Sequence, residues 1–478
     1  MFKKLFADTL IYTLPTVVNR FIGIFFFIFL ARFLGPESFA SIELLALTLI
    51  LINRVVSLEI NRGFGREIVD QEQDKVSEYI STTLLFLCIG MSISIFIFSL
   101  LPYSFLENLL KAESEKGFLF LFLLILVTNS LFLMTLEIFR WCRMSLTYSL
   151  LSLGGSIVSS SACLILMYFY DASLGNYILG QVSGNLIFLV IGIFLLSREF
   201  QLKFVFRLKY LRSMLSFAYP IFIFLMGFYL LNYLDRWALA YHYGEREVGI
   251  YAGIFRISSI LSIALLGSRL AFTPLAIRNK DSGNEFSSIL HFILFFLISL
   301  SLFINVFSDT LIILLLGKEY IGFSHIVPML LLSKIFLSIY VFSPGLEINK
   351  ETKKMIFIIS IPTIIGGFLI WILTNKYGLT GTAVGSCLTS FIFITLYLFS
   401  NERTGRVKYS TFGILVTLLI YLFCSYTFYA LDSIIISSCL SMIAILVIWK
   451  ILFTANEKML MRKGYEEIKN IFIPTQGT

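Results

Sequence analysis

The sequence predicts an all-α integral membrane protein of fourteen transmembrane helices, two six-helix lobes followed by two C-terminal helices. Composition, the spacing of apolar blocks and the placement of cations carry that reading. Over 478 residues the chain is 58% hydrophobic and only 14% charged, with 50 Phe and a mean hydropathy of +0.90. Soluble domains hold roughly 45–50% apolar and about 25% charged residues, so an excess of this size makes the bilayer the solvent. The same figures exclude a disordered chain.

A helix needs about 20 apolar residues to cross roughly 30 Å of hydrocarbon. Blocks of that length fall at 10–31, 38–60, 77–101, 117–139, 147–170, 175–197, 214–237, 247–270, 286–308, 322–345, 355–375, 378–400, 410–430 and 434–454. The blocks at 355–375 and 410–430 hold no charge, while the second and eighth are the most polar. Lys3 and Lys4 precede the first block, but it contains Arg20 and lacks a small-residue cleavage site. It reads as the first membrane helix, not a removed signal.

The cations choose the orientation. With the N-terminus inside, the inner segments hold 25 Lys and Arg and the outer loops six, namely Arg32, Lys111, Lys116, Arg246, Lys318 and Lys376. By the positive-inside rule both termini are cytoplasmic. The predicted organisation is an N-lobe over 1–197, a basic amphipathic cytoplasmic linker over 198–213, a C-lobe over 214–400, helices thirteen and fourteen over 401–454, and a cytoplasmic tail over 455–478. In the linker Phe200, Leu202, Phe204 and Phe206 alternate with Lys203 and Arg207, a pattern suited to the inner leaflet. A short repeat supports the two halves: Ala31 and Gly35 close span one, and Ala240 and Gly244 close span seven, each before a charged turn and an Arg-bearing span.

Charges at mid-membrane cost about 2.5–3.5 kcal/mol even on insertion scales and must face protein or water. Arg20 shares a stripe with Thr13, Thr16 and Gly23. Arg54 shares one with Glu43, Ser57 and Asn61, and Arg256 one with Gly249, Ala252 and Ser259. Small and polar neighbours at helical spacing point each guanidinium away from lipid. The three faces are expected to share one cavity, where planar forks grip a phosphate or diphosphate. The alternative pairs them internally, Arg54 with Glu43 or Glu59 and Arg256 with Asp235. Asn232 and Lys334 join the candidate substrate contacts, and Asp235, Glu43 and Glu59 are the candidate ion-coupling carboxylates. Asp235 beside Arg236 also reads as an intramembrane ion pair.

Chemistry of other kinds has no signature here. There is no GxxxxGK phosphate loop, HExxH or GxSxG, so the chain is expected to be no enzyme and to burn no ATP. The six Cys at 88, 142, 163, 387, 424 and 439 form no CxxC and no metal site. His242, His291 and His325 lie near span ends and read as interfacial. The net charge of +8 marks topology and an anionic ligand, not nucleic acid.

Five stretches, in order along the chain, resemble the Wzx-type polysaccharide flippases, in the superfamily that also holds lipid II flippases and MATE exporters. They are ARFLGPESF at 31–39, YLDRW at 233–237, VGIYA at 248–252, LGKEY at 316–320 and YGLTGTAV at 377–384. Ala40 stands where that family usually has Gly and Thr382 where it usually has Ala. Arg20 occupies a helix in which a proton-coupled MATE exporter would carry Asp, which favours an anionic cargo over a cationic drug. The resemblance implies a two-lobed bacterial inner-membrane transporter that moves undecaprenyl-diphosphate-linked oligosaccharide, of O-antigen, lipopolysaccharide or capsule type, to the outer face. It implies alternating access driven by a gradient such as H+ or Na+, no cofactor, and membrane lipid, a polymerase and a chain-length regulator as partners. A small-molecule exporter of the same fold and a membrane glycan polymerase are the alternatives.

Overall fold

The computed structural model describes residues 2–69, 71–110, 117–265, 268, 272, 276, 283–349, 351–404, 411–431, 433–454, 457 and 458, with side chains in the first helix from Val17 onward. Among these every regular element is helical. The helices are α1 (Phe2–Ser57), α2 (Ile60–Glu67), α3 (Gln73–Leu100), α4 (Tyr103–Leu110), α5 (Phe118–Trp141), α6 (Ser145–Phe169), α7 (Leu174–Phe200), α8 (Leu208–His242) and α9 (Glu245–Ser258). They continue as α10 (Ile260–Ala264), α11 (Gly283–Val306), α12 (Ser308–Leu315), α13 (Val327–Ile339), α14 (Gly345–Ile348), α15 (Thr352–Glu402), α16 (Thr411–Leu431) and α17 (Ile434–Leu452).

Eleven helices are long and apolar enough to cross a bilayer, and two of them, Val17–Ser57 with 41 residues and Lys353–Glu402 with 50, are twice the necessary length. Each is two crossings joined at a left-handed glycine, Gly35 at φ 73° and Gly378 at φ 57°. Eleven plus two, with α9 and α10 as the eighth span, makes the fourteen predicted crossings. Within the predicted 247–270, α9 ends at Ser258 and α10 takes over at Ile260; most of 266–282 lies outside the described residues, as does all of the tail except Glu457 and Lys458.

The repeat seen in the sequence is a repeat of backbone conformation. Gly35 (φ 73°, ψ 173°) and Gly244 (φ 92°, ψ −163°) occupy the same glycine-only region. Each half also carries one short helix, α4 or α12, between its third and fourth span. Within the halves α6 packs on α7 and α8 on α15, while α16 and α17 pack on each other and on α11. Between the halves α1 packs on α9, and α2 on α8. A Cβ on Gly249 of α9 would lie 1.8 Å from the Pro36 carbonyl, and one on Gly63 of α2 2.2 Å from that of Met214. Backbone therefore meets backbone at both ends of the interface between halves.

In the linker, residues 201–207 are non-helical and tied to α3, while Phe204 stays 95% exposed. Ser77 and Thr82 donate to the carbonyls of Gln201 and Val205, and Arg207 pairs with Glu78 at 3.2 Å. His291, near the start of α11, is 2% exposed, with Nδ1 2.9 Å from Glu457, five residues beyond the end of α17. Burial alone would raise the Glu457 pKa, but hydrogen bonds from the Thr454 N–H and hydroxyl, together with His291, hold it below its ordinary value.

Candidate functional site: a polar cavity beside a buried ion network

A cavity of about 690 Å³ opens between α1, α5, α6 and α7, with the end of the second span and α2 at one side. Arg20 and Arg54 both line it. Arg20 is exposed. Arg54 is 31% exposed and hydrogen-bonds Glu59, which also lies 3.8 Å from Arg62. Of the two acids considered for Arg54 the fold selects Glu59, because Leu58 and Glu59 both adopt left-handed backbone (φ 46° and 54°) and fold the acid back toward its own helix. Among the described residues Arg54 Nε has no hydrogen-bond partner. Across the same end, Asn61 donates to Glu137 at 3.0 Å, and Arg140 caps that carboxylate.

Arg256 departs from the expectation of one shared cavity. It is not a lining residue. Its guanidinium hydrogen-bonds Glu43 and lies 4.1 Å from the ring centroid of Phe27, which does line the cavity. Its acid is therefore Glu43 on the other half of the chain, and not Asp235.

Asp235 belongs to a second cluster, deep in the C-terminal half. Its Oδ1 accepts from Arg236 at 2.7 Å, and its Oδ2 accepts from Tyr251 at 2.7 Å and Ser386 at 2.9 Å. Arg236 is 0% exposed and its Nε lies 3.9 Å from Glu43, so Glu43 stands between two guanidinium groups. Lys334 donates to Asn232 Oδ1 at 3.2 Å. Arg236 and Lys334 both lie against the ring of Phe255, at 3.5 and 3.6 Å from its centroid. Neither Asn232 nor Lys334 lines the cavity. The ion-coupling candidates Asp235, Glu43 and Glu59 are thus all engaged by arginines, and among the described residues no cluster of His, Cys, Asp and Glu could hold a metal ion.

Sequence reasoning passed over the uncharged part of the cavity wall. Asn19, Asn53, Asn129, Ser130, Gln181 and Asn185 line it, with a stripe of Tyr148, Ser152, Ser156 and Ser160 on α6. The stripe has strict four-residue spacing and Gln181 and Asn185 repeat it on α7, a helical signal that attention to formal charge overlooked.

These features define an all-helical, multi-pass membrane protein with a polar cavity in its N-terminal half. Residues 5–276 match the family described as polysaccharide biosynthesis protein, and the chain belongs to that family. A membrane protein of Haemophilus influenzae, described as uncharacterized, is 24% identical over 260 residues; the match takes in 50% of this chain and 62% of that one. Among solved structures the fold is similar to the lipid II flippase MurJ in an inward closed conformation, with a TM-score of 0.71 at 17% identity over 92% of this chain and 98% of that one. It is also similar to an inward-facing multidrug resistance MATE family transporter of the MOP superfamily, with a TM-score of 0.63 at 15% identity over 81% and 94%. At such identities the likeness is one of fold.

Proposed function

We propose that the chain flips undecaprenyl-diphosphate-linked oligosaccharide repeat units across the bacterial inner membrane, supplying an O-antigen, lipopolysaccharide or capsule pathway. The observation that carries this is the cavity into which Arg20 and Arg54 both project, in a chain of the polysaccharide biosynthesis family. A diphosphate offers several acceptor oxygens and no donors, and a guanidinium is permanently charged and fork-shaped. The polyprenyl tail stays in lipid and both termini are cytoplasmic. The lobes 1–197 and 214–400, joined by 198–213, rock against each other.

Arg256 enters as a binding residue when the halves part and Glu43 releases it, and Asn232 and Lys334 become substrate contacts in that same state. A coupling ion, H+ or Na+, acts by displacing a guanidinium from Asp235, Glu43 or Glu59, since each acid is paired in the present state. A polymerase and its chain-length regulator take up the product on the outer face.

The test is surface-glycan export in the native host. Arg20→Ala and Arg54→Ala should each abolish export and accumulate lipid-linked repeat units inside, with the protein still in the membrane; Lys at either position should restore part of it. Wild-type export by both Ala variants would remove the anion-gripping role. Unchanged glycan accompanied by drug sensitivity in a deletion strain would favour a small-molecule exporter.

A further inference from the structure

The cavity is divided by chemistry along its length. Four of its five formally charged liners, Arg54, Glu59, Arg62 and Glu137, gather at the α2 end; Arg20 is the fifth. On α5, Ser130 lies seven residues from Glu137, about 10 Å along the helix. There the polar liners on the middles of α5, α6 and α7 are amides and hydroxyls, Asn129, Ser130, Ser156, Ser160, Gln181 and Asn185, beside the apolar Phe132, Leu133 and Met134.

This neutral end holds unused hydrogen-bonding capacity. Ser130 is 1% and Asn185 5% exposed, yet among the described residues Ser130 Oγ and Asn185 Nδ2 have no hydrogen-bond partner, and neither does Asn19 Oδ1 nearby. Buried polar atoms without partners are rare in folded proteins, and those that line a cavity are free to meet water or a bound group. A bound group that satisfies these must donate as well as accept, because Asn19 Oδ1 is an acceptor and Asn185 Nδ2 a donor. A phosphate or carboxylate only accepts, and a hydrocarbon does neither.

We infer that the neutral end is a saccharide-reading subsite, taking an uncharged sugar rich in hydroxyl or N-acyl groups, while Arg20, Arg54 and Arg62 hold the diphosphate that follows it. The assignment rests on the lipid-linked cargo proposed above and adds to it the class of sugar. The order fits a headgroup entering from the α2 side: the phosphates stop at the charged end and the sugar reaches the neutral one.

The experiment measures affinity of the purified full chain for three probes: undecaprenyl diphosphate, the same lipid bearing N-acetylglucosamine, and the same lipid bearing glucuronic acid. N-acetylglucosamine should tighten binding at least tenfold over the bare lipid, and glucuronic acid should not. Gln181→Leu and Asn185→Leu should each remove about three- to tenfold of that gain and leave the bare-lipid Kd unchanged, which a merely structural role would not do. Should the Leu variants fail to fold, Asn185→Ser and Ser130→Ala are expected to shift the same gain by about two- to threefold. Equal affinity for all three probes, or a gain that survives in the variants, overturns the subsite alone. Absence of binding to the bare lipid overturns the lipid-linked cargo and the subsite with it.

Discussion

Glu43 in α1 accepts a hydrogen bond from Arg256 in α9, 213 residues further along the chain. The carboxylate is 1% exposed and the guanidinium 22%, so the pair joins the two halves with its carboxylate shielded from water and its guanidinium largely so. Breaking such a pair leaves one charge uncompensated, at a cost of about 3–5 kcal/mol. Glu43 also faces Arg236, so it neutralises part of two cations.

Glu43→Ala should therefore cost more stability than Arg256→Ala, since it strands two guanidinium groups and not one carboxylate. Melting temperatures of the purified variants in detergent check this. The exchange of Glu43→Arg with Arg256→Glu should recover less than half of the loss, because it turns Arg236 from a neighbour of opposite charge into one of like charge. Equal melting temperatures for the two single variants would show that Arg236 is held by Asp235 alone.

Within the C-terminal half, Asp235→Ala leaves the fully buried Arg236 without its main counter-ion, and a loss of about 3–5 kcal/mol is expected. Asp235→Leu with Arg236→Leu removes both charges and should be better tolerated than Asp235→Ala alone. Expression level and elution profile in detergent distinguish the two outcomes, and a double variant worse than the single would mean that Tyr251 and Ser386 depend on Asp235 for their own satisfaction.

Two glycines of the second half separate strain from contact. Gly244 has open space around its missing side chain but a φ of +92°, so Gly244→Ala should cost about 1–3 kcal/mol through backbone strain. Gly249 is helical but sits against Pro36, so Gly249→Ala should push α9 away from α1. Cross-linking between cysteines placed at Glu37 and Glu247 should fall in Gly249→Ala and remain in Gly244→Ala.

Orientation is testable with impermeant thiol reagents in a background free of the six native cysteines. Single cysteines at the exposed positions Asp171 and Asp309 should react from outside intact cells, and those at Gln71 and Lys203 should react only after permeabilisation. The reverse pattern would invert the direction of transport.

The fourteen crossings were legible in the sequence because spanning a bilayer is a local requirement: each block must be apolar over about 20 residues whatever its neighbours are. The glycines that end spans one and seven were legible for a similar reason, since a left-handed turn depends on the residue that makes it. The pinning of 201–207 to α3 was not, because it depends on a segment remote in sequence. Neither were the partners of the cations. Arg54 had two candidate acids, and the backbone turn at Leu58 and Glu59 selects Glu59. Arg256 meets Glu43 only through the packing of α1 against α9, and Lys334 meets Asn232 102 residues away. The neutral end of the cavity was the least legible part. An Asn or Ser stripe reads alike whether it faces another helix or open space, and which of these it meets is fixed by how α5, α6 and α7 come together around it.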